Sequence, residues 1–227
     1  MKSNTSGMKN FLQPSAFSLQ PLLASSPLYG ILDTGYVVPA DIGAMAQKLL
    51  RGGIRILQLR AKKSSAAEIC GMAQQILPVV RAARAIFILN DHPHLVPVVG
   101  ADGAHIGQDD MTVAEARRLA GENAIIGLST HSLEQVEQAV LQQPDYIGFG
   151  PLFATPTKPD YKPIGLADIP KAQAMVPFPV FCIGGITSAT LPQVVAAGAQ
   201  RVVVVSALLT AEDPSAKARE FLELVRK

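Results

Sequence analysis

The stretch "ILQLRAKK", Ile56–Lys63, decides the fold because it begins as a buried strand and ends in a cluster of positive charge. Gln58, Arg60 and Lys62 occupy alternate positions within it. Alternate residues of a strand point to the same side, so these three side chains share one face. The strand therefore has an apolar beginning and a cationic end, and the rest of the chain must supply what that end faces.

Short apolar runs recur along the chain and alternate with helical patterns. Most of the runs are apolar throughout, as expected of parallel strands that are buried on both faces. Among the helical patterns, Ile42, Met45 and Leu49 form a stripe that ends at Gly52, and Ser132–Gln135 is typical of a capping box. The runs that we predict to be strands are Leu28–Leu32, Ile54–Leu59, Ile86–Leu89, Ala104–Ile106, Ile125–Leu128, Tyr146–Phe149, Val180–Ile183 and Val202–Val205.

These eight runs, each followed by a helix or a turn, indicate a single-domain α/β protein, a (β/α)₈ or TIM barrel, over residues 28–227. The main alternative is a doubly wound open sheet, which usually carries a glycine-rich turn after its first strand. The sequence "LYGILDTGY", residues 28–36, has no such fingerprint. Residues 1–27 are polar and rich in serine, and we expect an N-terminal arm that is partly disordered or folded as a short helix.

The composition excludes several classes of function. A net charge of +2 over 227 residues is too small to favour nucleic acid or an anionic membrane surface as a partner. No apolar run approaches the roughly 20 residues that span a bilayer, and the first 27 residues lack a signal-peptide pattern, so we expect a cytoplasmic protein. Cys70 and Cys182 are interpreted as buried reduced thiols. Apolar outer helices would also allow such a barrel to pair as a homo-oligomer.

Polar or glycine residues follow seven of the predicted strands. Active sites of (β/α)₈ barrels lie at the carboxyl ends of the strands, so we expect these residues to meet at one mouth. In strand order they are Gln58, Arg60 and Lys62; Asn90 and Asp91; Gln108, Asp109 and Asp110; Ser129, Thr130 and His131; Thr155, Thr157 and Lys158; Gly184 and Gly185; and Ser206.

Three cationic side chains, those of Arg60, Lys62 and Lys158, are predicted to reach this mouth. Such a cluster suits a phosphate or diphosphate, although a single Arg or Lys at a strand end is usually solvated surface. Asp91 and Asp110 end neighbouring strands, where two unpaired carboxylates would repel each other. A Mg²⁺ ion removes that conflict, because it prefers one or two carboxylates together with water and phosphate oxygens. The alternative is that one Asp caps a helix or pairs with Arg60.

A second anion site is predicted where the seventh and eighth strands end. Gly184–Gly185 and Val205–Ser206 lie where many such barrels hold a phosphate with backbone N–H groups. Two phosphorylated small molecules bound side by side would suit a transferase. His131 is the candidate acid or base, with a structural hydrogen-bonding role as the alternative, and His105 is interpreted as a core residue.

Seven motifs occur together in one order: "QLRAK" (Gln58–Lys62), "ND" (Asn90–Asp91), "GAHIGQDD" (Gly103–Asp110), "GLSTHS" (Gly127–Ser132), "DYIGFGPLFATPTK" (Asp145–Lys158), "IGGI" (Ile183–Ile186) and "VVSAL" (Val204–Leu208). Each motif alone is weak. The series, which extends from about Leu28 to the C-terminus, resembles the thiamine-phosphate synthase family, also called thiamine-phosphate pyrophosphorylase.

The resemblance implies an enzyme that joins 4-amino-5-hydroxymethyl-2-methylpyrimidine diphosphate to 4-methyl-5-(2-hydroxyethyl)thiazole phosphate, giving thiamine monophosphate and diphosphate. It also implies a dissociative mechanism assisted by Mg²⁺, with Asp91 and Asp110 as the metal ligands. The residues implied for the pyrimidine diphosphate are Gln58, Leu59, Arg60, Ala61, Lys62, Asn90, Ser129 and Lys158, and the catalytic ones among them are Arg60, Lys62, Ser129 and Lys158. Those implied for the thiazole phosphate are Thr155, Pro156, Thr157, Gly185, Val205 and Ser206.

The sequence departs from the family at His92, where the family commonly has Arg, so one positive charge near the diphosphate is absent or depends on pH. Two other functions remain open. A thiazole tautomerase of the same barrel family transfers a proton instead of coupling, and its members tend to lose the metal-binding region, whereas Asp110 and Lys158 are present here. A non-catalytic protein that binds a phosphorylated ligand would keep the basic rim without needing both Asp91 and Asp110.

Overall fold

The computed structural model describes residues 19–155 and 162–226. Within these ranges eight parallel strands close into a barrel in sequence order, with β8 (Val202–Val204) pairing with β1 (Leu28–Asp33). The predicted (β/α)₈ barrel is therefore confirmed. The other strands are β2 (Ile56–Arg60), β3 (Ile86–Asn90), β4 (Gly103–Ile106), β5 (Ile125–Thr130), β6 (Tyr146–Phe149) and β7 (Val180–Ile183).

Helices in the described ranges surround the barrel, and none of them is long and apolar enough to cross a bilayer. They are α1 (Gln20–Ser25), α2 (Ile42–Arg51), α3 (Ala66–Ala82), α4 (Val96–Val99), α5 (Val113–Ala120), α6 (Leu133–Gln142), α7 (Ile169–Met175), α8 (Leu191–Ala196), α9 (Ser206–Leu209) and α10 (Pro214–Val225). Short 3₁₀ turns precede α2 at Pro39–Asp41 and α4 at Pro93–Leu95.

Two helix starts show how local sequence sets these boundaries. At α3, Ser65 Oγ accepts from the N–H of Glu68 while the Glu68 carboxylate accepts from the N–H of Ser65, which is a complete capping box. Half of the box predicted at α6 forms: Ser132 Oγ accepts from the N–H of Gln135, but Gln135 Oε1 accepts from the N–H of His131. That second bond fixes the backbone of His131, which follows β5.

The apolar residues form two layers. The larger layer lies between the strands and the outer helices, and it includes Cys182, whose burial raises the pKa of its thiol to about 12. Cys70 is half-buried, and both cysteines are free thiols, as predicted. The smaller layer fills the barrel interior and consists of Leu23, Tyr29, Ile31, Ile56, Ile86, Ile88, Ile125, Tyr146, Phe181 and Val203.

Helix α1 closes the N-terminal end of the barrel. Its Leu23 is fully buried within the interior layer. Gln20 Nε2 donates to Asp145 Oδ1 at 2.5 Å, just before β6, and Arg201 Nε donates to the carbonyl of Ala24 at 2.8 Å, just before β8. Residues 1–18 of the arm expected from the sequence lie outside the described residues. The opposite end, where the strands finish, has a cavity that is open to solvent.

Candidate active site

The inward-facing side chains change from apolar to polar toward the carboxyl ends of the strands. In β2 the fully buried Ile56 is followed on the same face by Gln58 and Arg60. In the strand register Gln58 lies beside Ile31 of β1, and Arg60 lies beside Asp33 at the end of the same strand. The alternation expected from "ILQLR" thus directs its polar side chains into the mouth of the barrel.

A cavity of about 950 Å³, open to solvent, occupies this mouth. Its apolar floor includes Tyr29, Ile31, Tyr146 and Val203, which belong to the interior layer. The residues predicted for the site that line this cavity are Gln58, Arg60, Asn90, Ser129, Thr155, Gly185, Val205 and Ser206. Strand ends from both halves of the sequence therefore face one common space.

A smaller cavity of about 430 Å³ adjoins the first. Both are lined by four residues at the ends of β3, β4 and β5, namely Asn90, His105, Ser129 and His131. Lys62, Asp91 and Asp110 line only the smaller cavity. The structure thus brings the two predicted metal ligands and a predicted cation together, next to the larger cavity.

Arg60 is held by a carboxylate that the sequence analysis did not single out. Its Nη1 lies 2.5 Å from Asp33 Oδ2, and the exposed fractions of the two side chains are 15% and 5%. Asp33 Oδ1 also accepts from the N–H of Gly35 at 2.8 Å. Asp33 ends β1 as the other site residues end their strands, so the rule of polar strand ends would have found it. Arg60 therefore forms its ion pair with Asp33 and not with Asp91 or Asp110.

Lys62 forms an ion pair with Asp91, with 2.8 Å between Lys62 Nζ and Asp91 Oδ2. Half of the lysine side chain is exposed, so this pair adds little to stability and leaves the ammonium accessible. Asp91 has a φ of +62° and donates its N–H to the carbonyl of His105 at 2.9 Å. Left-handed backbone is uncommon outside glycine and often marks a functional position.

Asp110 lies on the exposed rim of the smaller cavity, where its Oδ2 accepts from the N–H of Gly107 at 2.6 Å. Residues 19–155 and 162–226 contain no group of three or more His, Cys, Asp or Glu side chains suited to a metal. Mg²⁺ does not need such a group, because it binds through one or two carboxylates together with water and phosphate oxygens. Asp91 and Asp110 both line the smaller cavity, and their carboxylate oxygens are donors of the kind that Mg²⁺ takes.

The other side of the larger cavity is formed by backbone and small side chains. Gly184 and Gly185 have φ values of +102° and +65°, and a Cβ at Gly185 would lie 2.6 Å from Phe153 Cβ. Only glycine fits there, so the backbone is exposed to the cavity at this turn. Next to it are Val205 and Ser206, at the start of α9. Pro156, Thr157 and Lys158 lie outside the described residues.

A chain of hydrogen bonds crosses the floor of the cavity, and the sequence analysis missed it. Gln58 Nε2 lies 2.8 Å from Tyr29 Oη, which lies 3.0 Å from Tyr146 Oη. Tyr146 Oη lies 3.1 Å from His105 Nδ1, and His105 Nε2 lies 2.9 Å from Ser129 Oγ. Burial raises the pKa of both tyrosines above the usual range, so both are neutral phenols.

Gly127 provides the space for this chain. A Cβ there would lie 2.1 Å from Tyr146 Cζ and 2.5 Å from His105 Nδ1. The Tyr146 and His105 rings stack with centroids 5.5 Å apart, and His105 is hydrogen-bonded through both nitrogens, as its interpretation as a core residue requires. It also lines both cavities, which that interpretation did not foresee.

Four further residues have environments that bear on their predicted roles. His131 Nδ1 lies 2.5 Å from the carbonyl oxygen of Gly150, and the ring lines both cavities. Burial lowers the pKa of His92, with Asp91 opposing that effect, so at neutral pH His92 does not replace the charge of an arginine. The side chains of Leu59 and Ala61 pack in the layer beneath the outer helices and line neither cavity.

Comparison with known proteins gives a consistent family. The sequence model of the family described as thiamine monophosphate synthase matches residues 28–208. The thiamine-phosphate synthase of Synechococcus sp. strain WH7803 is 46% identical over 176 residues, which are 78% of this chain and 50% of that protein. The thiamine-phosphate synthase of Chlorobium luteolum is 38% identical over 201 residues, which are 88% of this chain and 93% of that protein.

The chain thus spans about half the length of some curated relatives that it matches and most of the length of others. Among solved structures, thiamine phosphate pyrophosphorylase from Pyrococcus furiosus superposes with a TM-score of 0.82 at 30% sequence identity. That match covers 90% of this chain and 98% of the other.

Proposed function

This chain belongs to the thiamine monophosphate synthase family, and on that premise we propose that it is a transferase of thiamine biosynthesis that makes thiamine monophosphate. Its two substrates would be 4-amino-5-hydroxymethyl-2-methylpyrimidine diphosphate and 4-methyl-5-(2-hydroxyethyl)thiazole phosphate. The resemblance of the seven motifs suggests these substrates, and the names of the relatives agree with the product.

The observation that carries this proposal is the pair of adjoining cavities with different walls. The smaller one has the charged residues Lys62, Asp91, Asp109 and Asp110, and Arg60 lines the larger one. The wall formed by the ends of β7 and β8 in the described residues has no charged side chain and offers glycine backbone. Two ligands, one with a highly charged leaving group and one with a single phosphate, suit such a pair.

The charged side would hold the pyrimidine diphosphate. Arg60 offers a planar fork and Lys62 a mobile point charge to the diphosphate oxygens, and Asn90 lines both cavities. Asp91 and Asp110 would hold Mg²⁺, which, when bound, neutralises the negative charge that develops on the leaving group. Arg60 is preoriented by Asp33, so little reorganisation is needed as the charge develops.

The reaction needs no protein nucleophile. The bond between the pyrimidine methylene carbon and the diphosphate oxygen breaks, and both electrons leave with the diphosphate. The lone pair of the thiazole nitrogen then forms the new carbon–nitrogen bond to the pyrimidinylmethyl cation. The role of Arg60, Lys62 and, in the proposal, Lys158 is to stabilise the departing charge, and Ser129 would hold the pyrimidine beside it.

The thiazole phosphate would bind at the opposite wall. Gly185, Val205 and Ser206 line the cavity where backbone N–H groups of such barrels hold a phosphate, and Thr155 lines it from the loop after β6. Thr157 and Pro156 belong to the same proposal through the motif alone. The apolar floor at Tyr146, Ile183 and Val203 offers a surface on which the two heterocycles can meet.

The direct test is to mix the two precursors with and without Mg²⁺ and to measure thiamine monophosphate by the fluorescence of its oxidised form. We expect product only when both precursors and the metal are present. Isomerisation of a thiazole carboxylate phosphate without coupling would instead make the protein a tautomerase. Binding of either ligand without any turnover would make it a non-catalytic binding protein.

Neighbouring lysines provide a matched pair of variants for the same assay. Lys62 lines the smaller cavity, whereas the exposed Lys63 lines neither cavity. We expect Lys62→Ala to lower kcat about a hundredfold, as for removal of one group that stabilises developing charge, and Lys63→Ala to leave kcat unchanged. Equal effects of the two substitutions would contradict the assignment of Lys62 to the leaving group.

A further inference from the structure

The hydrogen-bond chain from Gln58 to Ser129 has a direction that follows from its donors. The Gln58 amide nitrogen can only donate, so Tyr29 Oη accepts at that end. A phenol has a single hydrogen, and the buried hydrogen of Tyr29 gains an acceptor in the chain when it is donated to Tyr146 Oη, 3.0 Å away. Tyr146 in turn donates to His105 Nδ1 at 3.1 Å. Each member thus passes one hydrogen toward His105.

The tautomer of His105 follows from this direction. Because Nδ1 accepts a hydrogen bond, it carries no hydrogen, and Nε2 is the protonated nitrogen of a neutral ring. Nε2–H then donates to Ser129 Oγ at 2.9 Å. With the opposite tautomer, Tyr29 Oη would accept from both Gln58 and Tyr146, and its own buried hydrogen would have no acceptor in the chain, which costs free energy.

We propose that Tyr29, Tyr146 and His105 are positioning residues that make Ser129 a hydrogen-bond donor and leave Gln58 Oε1 as an acceptor toward the cavity. With its oxygen already accepting from His105, Ser129 directs its own hydrogen away from that ring. Gln58, whose nitrogen is engaged by Tyr29, presents its oxygen at the other end of the chain. Both residues line the larger cavity.

This pair of ends selects a particular class of ligand. A ligand between them needs a hydrogen-bond acceptor for Ser129 and a donor for Gln58, as the edge of an aminated heteroaromatic ring provides. A diphosphate in its ionised form has only acceptors and would face Gln58 Oε1 unfavourably. The chain therefore recognises the aminopyrimidine head and leaves the diphosphate to Arg60 and Lys62, an assignment that rests on the proposed function.

The tautomer is measured on the unmodified protein, so the measurement does not depend on activity. Nitrogen-15 NMR of the histidine rings, with the His105 signals identified by their loss in His105→Asn, distinguishes the protonated from the bare nitrogen. We expect the hydrogen on Nε2 and none on Nδ1 at pH 8, which is above the usual histidine pKa of about 6.5. A hydrogen on Nδ1, or a doubly protonated ring, would overturn the chain.

Ligand selection is tested with Tyr146→Phe and Tyr29→Phe, which remove one link each without adding volume. We expect each to weaken binding of the pyrimidine diphosphate about tenfold, as for one lost hydrogen bond, and to leave inorganic diphosphate unchanged in calorimetry. Equal weakening of both ligands would indicate a general structural loss, and unchanged binding of the pyrimidine compound would indicate no positioning role. Either outcome overturns the proposal.

Failure of the proposed function and failure of the hydrogen-bond chain can be told apart. A wild-type protein that shows the Nε2–H tautomer but does not bind the pyrimidine diphosphate would contradict the proposed function and the ligand that we assign, while the directional chain would stand. A wild-type protein that couples the two precursors but has His105 as the Nδ1–H tautomer would keep its function and lose the chain.

Discussion

The two ends of the barrel interior are built from the same strands but serve opposite purposes. At the N-terminal end Leu23, Ile56 and Ile86 are fully buried. On the same face of β2, four residues after Ile56, Arg60 faces an open cavity and pairs with Asp33. At about 3.3 Å per residue, roughly 13 Å separates the apolar closed end from a mouth lined by charged side chains.

This difference shows that the residues that stabilise the fold and the residues that are available to a ligand lie at opposite ends of the barrel. Apolar side chains at the closed end lose all contact with water, and each stabilises the fold by about 1.5–3 kcal/mol. Charged groups at the open end, such as the half-exposed Lys62, contribute little to folding and stay available to a ligand. A substitution at the closed end should therefore change the free energy of unfolding, and one at the open end should change turnover.

Asp110→Ala at the open end is expected to give the largest difference between the effect on turnover and the effect on stability. If Asp110 holds Mg²⁺, the substitution should lower kcat by at least about a hundredfold, because charge on the leaving group is no longer neutralised. The melting temperature should stay within about 2 °C of the wild-type value, since Asp110 is exposed and its side chain accepts a hydrogen bond from one backbone N–H, that of Gly107. Steady-state kinetics at several Mg²⁺ concentrations and thermal unfolding measure the two quantities.

The matched control is Asp168→Ala. Asp168 is a carboxylate before α7 that forms a long, exposed contact of 3.9 Å with Lys171 and lines neither cavity. It should leave kcat and its dependence on Mg²⁺ unchanged. If Asp110→Ala behaved like this control, Asp110 would not be a metal ligand.

Leu23→Ala at the closed end is expected to have the opposite effect, lowering stability and leaving turnover unchanged. Removing this fully buried side chain leaves a cavity beneath the interior layer, so the free energy of unfolding should fall by about 2–4 kcal/mol. Turnover at 25 °C should be close to wild type, because Leu23 belongs to the end of the barrel that the ligand does not enter. Urea denaturation and kcat measured on the same sample give the comparison.

Leu141→Ala is the same substitution at a position that is 76% exposed, and it should cost less than about 0.5 kcal/mol. If Leu23→Ala cost no more than Leu141→Ala, α1 would not stabilise the barrel. If Leu23→Ala instead lowered kcat as strongly as stability, the two ends would be coupled.

The open end was largely predictable because a local rule describes it. Arg60, Asn90, Asp91 and Ser129 each follow a run of apolar residues, and the barrel brings carboxyl strand ends together whatever the details of packing. Asp33 follows the same rule at the end of "LYGILD" and was overlooked. The strand bounds could also be predicted from local sequence, although β2 starts at Ile56 and not at the predicted Ile54.

The closed end and the hydrogen-bond chain were not predictable in the same way. Tyr29 and Tyr146 are 117 residues apart, and within their apolar runs each resembles an ordinary core aromatic. Leu23 lies in the short stretch "LLASS" between Pro21 and Pro27, where nothing local indicates that it closes a barrel. Both features depend on contacts between residues distant in sequence, which one sequence does not encode as a pattern.

The smallest effect is expected for Asp33→Asn. This substitution tests whether the buried ion pair at the open end contributes mainly to stability or to turnover. Asparagine keeps an acceptor for the N–H of Gly35 but removes the charge opposite Arg60. Breaking a fully buried pair costs about 3–5 kcal/mol, but Arg60 borders a solvent-filled mouth, so its charge stays partly solvated and stability should fall by less. Because the guanidinium loses its fixed orientation toward the diphosphate, kcat/KM for the pyrimidine substrate should fall about tenfold. Kinetics and urea denaturation of the one variant decide the matter: a loss of several kcal/mol with unchanged kcat/KM would make the pair a structural tie and would place part of the stability at the open end.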